Sequence, residues 1–191
     1  MGINEESTNV LLAKSLKELL KTTNFEKITI KEITSNVGLI RPTFYNHFAD
    51  KYALLEWIFY NEVIVPAMLL IEDDMLKEAI DLMLKQIERD MKFYSKAAKI
   101  DGQNSFENIV YELFGKLFLS LFKENTNFKV KQLYPITPEI LAKYYANGLT
   151  FIIINWLENA SSLSAVAISE IYQTISNISI NELVKPSIEN N

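Results

Sequence analysis

Apolar residues recur at intervals of three and four along almost the whole chain, the period of an α-helix. Residues 7–22 carry Leu12, Leu16, Leu19 and Leu20 on one face, with Lys14, Lys17, Glu18 and Lys21 largely outside it. Thr29-x-x-Glu32 has the form of a capping box, in which side-chain oxygens satisfy the orphan amides of a helix start. The pattern predicts a short helix from there to about Asn36, burying Ile33 and ended by Gly38, where the backbone turns left-handed. A second short helix is predicted over residues 41–48, with Pro42 in a first turn that does not need its missing N–H. Asp50 is placed to cap the next helix, which carries Leu54, Leu55, Ile58 and Phe59 to about Pro66. Longer helices are predicted over residues 74–98, 104–123, 138–160 and 164–180. Between them residues 124–137 read as a polar loop, and the tail from Lys185 is polar. The runs Ile28–Ile30 and Phe151–Ile154 are rich in β-branched residues, but their flanks keep the helical period, so both are read as helical. The expected fold class is all-α.

Composition narrows the chemistry. The 191 residues suit one ordinary domain, or one domain and a small module, and 49% are apolar against 23% charged, enough to bury a core. There is no Cys and a single His, His47. Disulfides and Cys nucleophiles are thereby excluded, a metal cage would rest almost wholly on carboxylates, and no cofactor or metal is expected. The first nine residues are polar and include Glu5 and Glu6, unlike a secretory leader. The longest apolar run, Val63 to Ile71, is interrupted by Pro66 and falls short of the roughly 20 residues of a membrane span. A soluble, cytoplasmic protein with no membrane partner is expected.

The net charge of −5 argues at first against nucleic acid. Its distribution changes that. Residues 1–55 hold seven Lys or Arg against six Asp or Glu, a net of +1, while residues 56–191 hold twelve against eighteen, a net of −6. DNA binding needs a basic face rather than a basic average, so charge permits it in the first 55 residues.

Two short helices joined by a glycine turn and braced by a longer first helix form a helix-turn-helix. The stretch I-T-I-K-E-I-T-S-N-V-G-L-I-R-P-T-F-Y-N-H-F-A-D-K-Y-A-L-L, residues 28–55, closely resembles the DNA-binding segment of the TetR/AcrR family of transcriptional regulators. The T-F-Y-x-H-F core, a Lys three residues on and the Leu-Leu pair are its specific features. The resemblance implies a three-helix DNA-binding head over residues 1–55 and a larger helical body over residues 56–191, which binds an effector and dimerises through its last two long helices. The C-terminal part resembles, in F-Y-S-K-A-A-K-I-D-G-Q-N-S-F (residues 93–106) and N-W-L-E-N (residues 155–159), the subgroup related to regulators of dihydroxyacetone kinase operons. The function implied is a regulator that binds palindromic operator DNA as a homodimer, under control of a small molecule or a protein co-regulator.

A recognition helix presents its first side chains to the major groove, which places Arg41, Pro42, Thr43 and Asn46 against DNA. Arg41 has the fork that grips guanine O6 and N7. The resemblance implies phosphate contacts from Tyr45, His47 and Lys51, and from Thr29 and Lys31 at the start of the preceding helix. Each has a plainer reading: His47 as a packed side chain, Tyr45 as a rim residue, Lys31 and Lys51 as solvated charges, and Thr29 as a cap under either. Phe44 and Phe48 point inward. Ile40 departs from the small polar residue the family commonly places before the recognition helix, so a cap and one backbone contact are missing there.

In the body, Leu141, Tyr145, Leu149, Ile152 and Trp156 form one stripe, with Gly148 allowing close approach. Together with Ile168, Ile171 and Ile175 they are the candidate dimer face. Trp57, Met83, Met91, Tyr94, Tyr111, Phe114 and Phe118 are core residues or, read differently, the walls of an apolar effector pocket. Two other classes compete with this reading. A helical interaction module without DNA binding is the alternative to which Ile40 points. An enzyme would have to use Asp73, Asp74, Glu88 or Asp90, which are spaced as a solvated helix face.

Overall fold

Leucines repeating every fourth residue start the fold. The computed structural model describes residues 5–124, 136–159 and 162–178; the loop expected over 124–137 lies mostly outside them, and the tail from Lys185 wholly. Leu12, Leu16 and Leu20 form the buried face of α1 (Glu5–Leu20). A single 3-10 turn at Phe25–Lys27 buries Phe25 and leads into α2 (Ile30–Ser35) and α3 (Arg41–Tyr45). Asp50 then caps α4 (Lys51–Phe59), its Oδ1 accepting the N–H groups of Tyr52 and Ala53 at 2.8 Å each.

α4 does not stop at Pro66. It runs on through a π-helical turn (Tyr60–Ile64), a 3-10 turn around the proline (Val65–Ala67) and α5 (Met68–Glu72). Pro66 lacks the N–H that a regular helix uses, and the local change of pitch absorbs that loss. By length and apolarity Lys51–Glu72 could cross a membrane. Counting uninterrupted apolar residues misses this, because Asn61 and Glu62 break the run without breaking the helix. Leu54, Leu55, Ile58, Phe59, Val63, Ile64 and Ala67 of this stretch are buried in the protein's own core.

The single helix expected over residues 74–98 is two: α6 (Leu76–Arg89) and α7 (Met91–Ala97). The break falls at Asp90 (φ −124°, ψ 42°), whose carboxylate reaches Lys17 of α1 at 2.8 Å. Apolar spacing runs straight across this corner, so periodicity alone does not reveal it. α8 (Phe106–Glu124), α9 (Pro138–Glu158) and α10 (Ala165–Asn177) complete an all-α fold, with no strand among the described residues. α8 packs along α9, and α6 along α10. The start of α10 is pinned to α6 by Glu88, whose Oε1 accepts the Ala165 N–H at 2.8 Å.

One core runs from Leu12 and Phe44 through Ile58 to Tyr172. Its aromatic centre is Phe59, which meets Tyr94, Phe106 and Phe114 edge-on at 6.0, 5.6 and 5.9 Å between ring centroids. Such pairs each contribute about 0.5–1.5 kcal/mol beyond area burial. Because α4 supplies Phe59 to this cluster and Leu54 to the packing under α1, it is the rigid link between the N-terminal helices and the rest.

Candidate nucleic-acid interface

Two caps set the geometry of the helix pair. Thr29 Oγ1 accepts the Glu32 N–H at 3.2 Å, and Glu32 Oε2 accepts the Thr29 N–H at 2.8 Å, closing the expected capping box. These hydrogen bonds, the Thr29 hydroxyl's first and its N–H next, hold the Glu32 carboxyl below its ordinary value. At the other end Gly38 sits at φ +69°, the Leu39 N–H reaches Thr34 O at 2.9 Å and the Gly38 N–H reaches Ser35 O at 3.2 Å. This paired closure of a helix end needs a left-handed residue where the glycine stands. It turns the chain sharply into α3.

The inner side of the pair is packed and the outer side is bare. Phe44 and Phe48 are buried with ring centroids 5.8 Å apart. Ser15, buried on α1, donates its hydroxyl to Ile33 O at 2.7 Å and accepts from Asn36 Nδ2 at 3.2 Å, fixing α2 against α1. Neither Ser15 nor Asn36 stands out in the sequence, because a serine on a leucine face carries no periodic signal. Outward on α3 lie Arg41, Pro42, Tyr45 and Asn46, all exposed, with Thr43 and His47 half-buried. Tyr45 is 54% exposed although its ring packs edge-on against Phe44, so the ring is held while the hydroxyl stays free for an outside partner. Thr29 and Lys31 are exposed at the start of α2.

Charge on this surface favours an anion. Between residues 27 and 49 the permanent cations are Lys27, Lys31 and Arg41, and the one carboxylate, Glu32, is engaged in the capping box. Ile40 precedes α3 with no side-chain cap and is 65% exposed, Pro42 has no N–H to offer, and the Thr43 N–H donates to Ile40 O at 3.0 Å.

Lys51 does not lie on this surface as a free cation. Its Nζ donates to the carbonyls of Phe25 (2.7 Å), Glu26 (3.2 Å) and Ile28 (3.1 Å), and stands 4.6 Å from the centre of the Phe25 ring. Burial pulls its pKa below the ordinary lysine value, with the nearby charge of Glu26 opposing. All three ammonium donors are engaged, in a brace under the turn that carries Thr29.

The residues expected to line an effector pocket mostly fill the core. Met83, Tyr94, Phe114 and Phe118 are buried, and Tyr94 and Phe114 belong to the cluster around Phe59; Met91 and Tyr111 pack on it half-buried. Trp57 borders a groove of about 510 Å³ between α1 and α4, and Phe118 borders a separate cavity of about 430 Å³. Aromatic spacing shows that a residue is inside but not whether space is left beside it.

The residues expected at the dimer face are mostly packed within the chain. Leu149, Trp156 and Ile168 are buried within the chain, Trp156 donating its Nε1–H to Leu163 O at 3.0 Å. Leu141, Tyr145, Gly148 and Ile152 are half-buried, while Ile171 and Ile175 are exposed. The bare stripe of α9 is one position over: Ile140, Tyr144, Asn147, Phe151 and Asn155, with Tyr144 71% and Phe151 64% exposed. Both stripes have helical spacing, and only the packing of α8 shows which one faces inward.

Among the described residues no group of three His, Asp or Glu side chains is placed to hold a metal ion. Asp73 and Asp74 are exposed, and Glu88 and Asp90 hold α10 and Lys17.

Comparison with known proteins matches both parts of the chain. Residues 14–58 match the model described as bacterial regulatory proteins, tetR family, and residues 74–178 match that of a transcriptional regulator C-terminal region. A curated relative, the HTH-type dhaKLM operon transcriptional activator DhaS of Lactococcus lactis subsp. lactis (strain IL1403), is 30% identical over 98 residues. That match spans 49% of this chain and 50% of the relative, so it covers about half the relative's length. Among solved structures, the dihydroxyacetone kinase operon activator DhaS superposes with a TM-score of 0.59 at 21% identity, over 89% of this chain and 92% of that one. NalD of Pseudomonas aeruginosa, the secondary repressor of a multidrug efflux pump, gives 0.60 at 18% identity, over 90% and 95%. Thermus thermophilus FadR, solved with lauroyl-CoA, gives 0.64 at 14% identity, over 93% and 98%. At these identities the structures establish the shared fold.

Proposed function

This chain belongs to the tetR family of bacterial transcriptional regulators, and from that premise we propose that it binds a palindromic operator as a homodimer, its body answering to an effector. The observation that carries the reading is the outer face of α3. Arg41, Pro42, Tyr45 and Asn46 are bare, while Phe44 and Phe48 anchor the same helix from behind. A five-residue helix stays folded with such a face outward only because its other side is packed and both its neighbours are capped.

Arg41, Pro42, Thr43 and Asn46 reach base edges, and Thr29, Lys31, Tyr45 and His47 hold phosphates. Lys51 acts at one remove, through the turn it braces. The functional boundary between head and body falls near residue 55, inside α4, so movement of the body is passed to the head as movement of one rigid helix. Ile140, Tyr144 and Phe151 of α9, with Ile171 and Ile175 of α10, form the seam with a second copy. Two heads on a two-fold axis then read half-sites separated by about one helical turn of DNA or a multiple of it. A regulator of this kind works in the cytoplasm and catalyses nothing.

The test is a salt titration of binding to operator-containing and random duplexes, for the wild type and for Arg41→Ala. The regulator loses affinity steeply as salt rises. Arg41→Ala is expected to cost about 1–3 kcal/mol on operator and much less on random DNA, with an unchanged melting temperature because Arg41 is exposed. A protein with no salt-dependent duplex binding overturns the reading.

A further inference from the structure

We propose that the body binds a small apolar molecule carrying a single anionic group, in the open-sided cavity bordered by α6, α8, α9 and α10. This rests on the regulator reading above and names the effector's site and class. The cavity measures about 430 Å³, within the roughly 300–1,000 Å³ of ligand sites. One wall is a nest of rings: Phe118 and Phe122 lie nearly parallel at 6.2 Å, and Tyr145 meets them at 6.2 and 5.8 Å. Tyr172 of α10 lines it as well, and burial pushes its hydroxyl up to about 12, so it stays neutral and presents no negative charge to a ligand.

Among the described residues the lining carries one charge, that of Lys77 at the start of α6. Lys77 is exposed and has no ion pair among the described residues. Gln173 adds a polar edge, its Nε2 donating to Ser169 at 2.9 Å, which leaves its carbonyl oxygen to accept. Rings on one side and the Lys77 ammonium at the rim select a flat or chain-like apolar body ending in a carboxylate, sulfonate or similar anion.

The walls also explain how occupancy is transmitted. Tyr145 faces the cavity while its neighbour Tyr144 stands on the exposed stripe of α9, their rings 5.3 Å apart and perpendicular. On α10 Tyr172 faces the cavity beside the exposed Ile171. A ligand pressing on one side of these helices therefore moves the side that meets the second copy, and with it the spacing of the two heads.

The experiment uses the full chain and two fluorescent probes, 1-anilinonaphthalene-8-sulfonate and its uncharged counterpart N-phenyl-1-naphthylamine. Saturable binding of both at one site per chain is expected. Ser176→Trp, which fills the mouth from α10, should weaken both at least tenfold. Lys77→Ala should weaken the sulfonate several-fold and leave the uncharged probe unchanged. Lys77 lies on the surface, so its variant keeps the test available where the tryptophan disturbs folding. The sulfonate should also shift operator affinity in the wild type and not in Ser176→Trp. Probe binding untouched by both variants, or equal losses of both probes in Lys77→Ala, overturns the site. Salt-dependent operator binding that the bound probe leaves unaltered overturns the coupling while the regulator reading stands. Loss of operator binding altogether overturns that reading and leaves the cavity result intact.

Discussion

At the scale of single residues, Lys51 shows how a motif residue can serve a fold before it serves a ligand. An ammonium with three carbonyl partners is a local tie between the start of α4 and the turn before α2. Replacing it by Met keeps the stem and removes every donor, leaving carbonyls of the Phe25–Ile28 turn without their partner. Hydrogen bonds to charged groups are worth about 1.5–3 kcal/mol, so Lys51→Met should lower stability by that order, read by urea denaturation. Operator affinity should fall with it, through misplacement of Thr29. A mere phosphate contact would instead leave the denaturation midpoint where it was and lower only the salt slope. Thr29 shows the converse, a cap that was fully legible: Thr and Glu three apart satisfy two orphan amides whatever surrounds them. Glu32 is held below its ordinary pKa, so its contribution is present above that ordinary value and is lost as pH falls through the folded one. Acid should therefore loosen α2 in the wild type more than in Thr29→Ala, as followed by hydrogen exchange of the α2 amides.

At the scale of elements, helix positions and caps could be read from the chain because both are local. The start of α9 at Thr137 and Pro138, the Asp50 cap and the Gly38 turn all follow from residues within four positions of one another. What could not be read is long-range. The corner at Asp90 depends on Lys17, and the choice between two helical stripes on α9 depends on where α8 packs. Gly148 belongs to this second kind. A glycine in the middle of a 21-residue helix suggests a close approach. The nearest atom to a Cβ built there is Cε2 of Tyr172 at 4.0 Å, an ordinary contact. Gly148→Ala should then gain up to about 1 kcal/mol of helix propensity, raising the melting temperature by a few degrees without changing the sedimentation coefficient. A loss of stability together with dissociation would show that the glycine is needed where a second copy approaches.

At the scale of the whole molecule, a partly buried ion triad ties α1 to the helices that follow α4, and the exposed stripe of α9 is the proposed seam between two copies. Lys17 of α1 holds Glu62, on the π-helical turn, at 2.7 Å and Asp90, at the α6–α7 corner, at 2.8 Å. Burial pulls the Lys17 pKa down, but its bonds to Asp90 and Glu62 and their charges outweigh this, leaving it above the ordinary 10.5. A raised lysine contributes fully below its unfolded value and loses that contribution as pH rises through the folded one. Lys17→Met should therefore melt below the wild type from pH 6 to 9, with the gap closing above about pH 10.5. Since the triad is half open to water, the gap should be about 1 kcal/mol rather than that of a buried pair. The seam makes the stronger demand. Tyr144 and Phe151 expose most of their rings in a single chain, and the proposed two-fold contact would cover them with a second copy of the same stripe. Phe151→Glu places two like charges across that axis. The variant should sediment as one chain, keep its helical circular dichroism because Phe151 touches little of its own core, and lose affinity for the full palindrome far more than for a single half-site. A variant that remains paired and binds the palindrome normally would move the seam off α9.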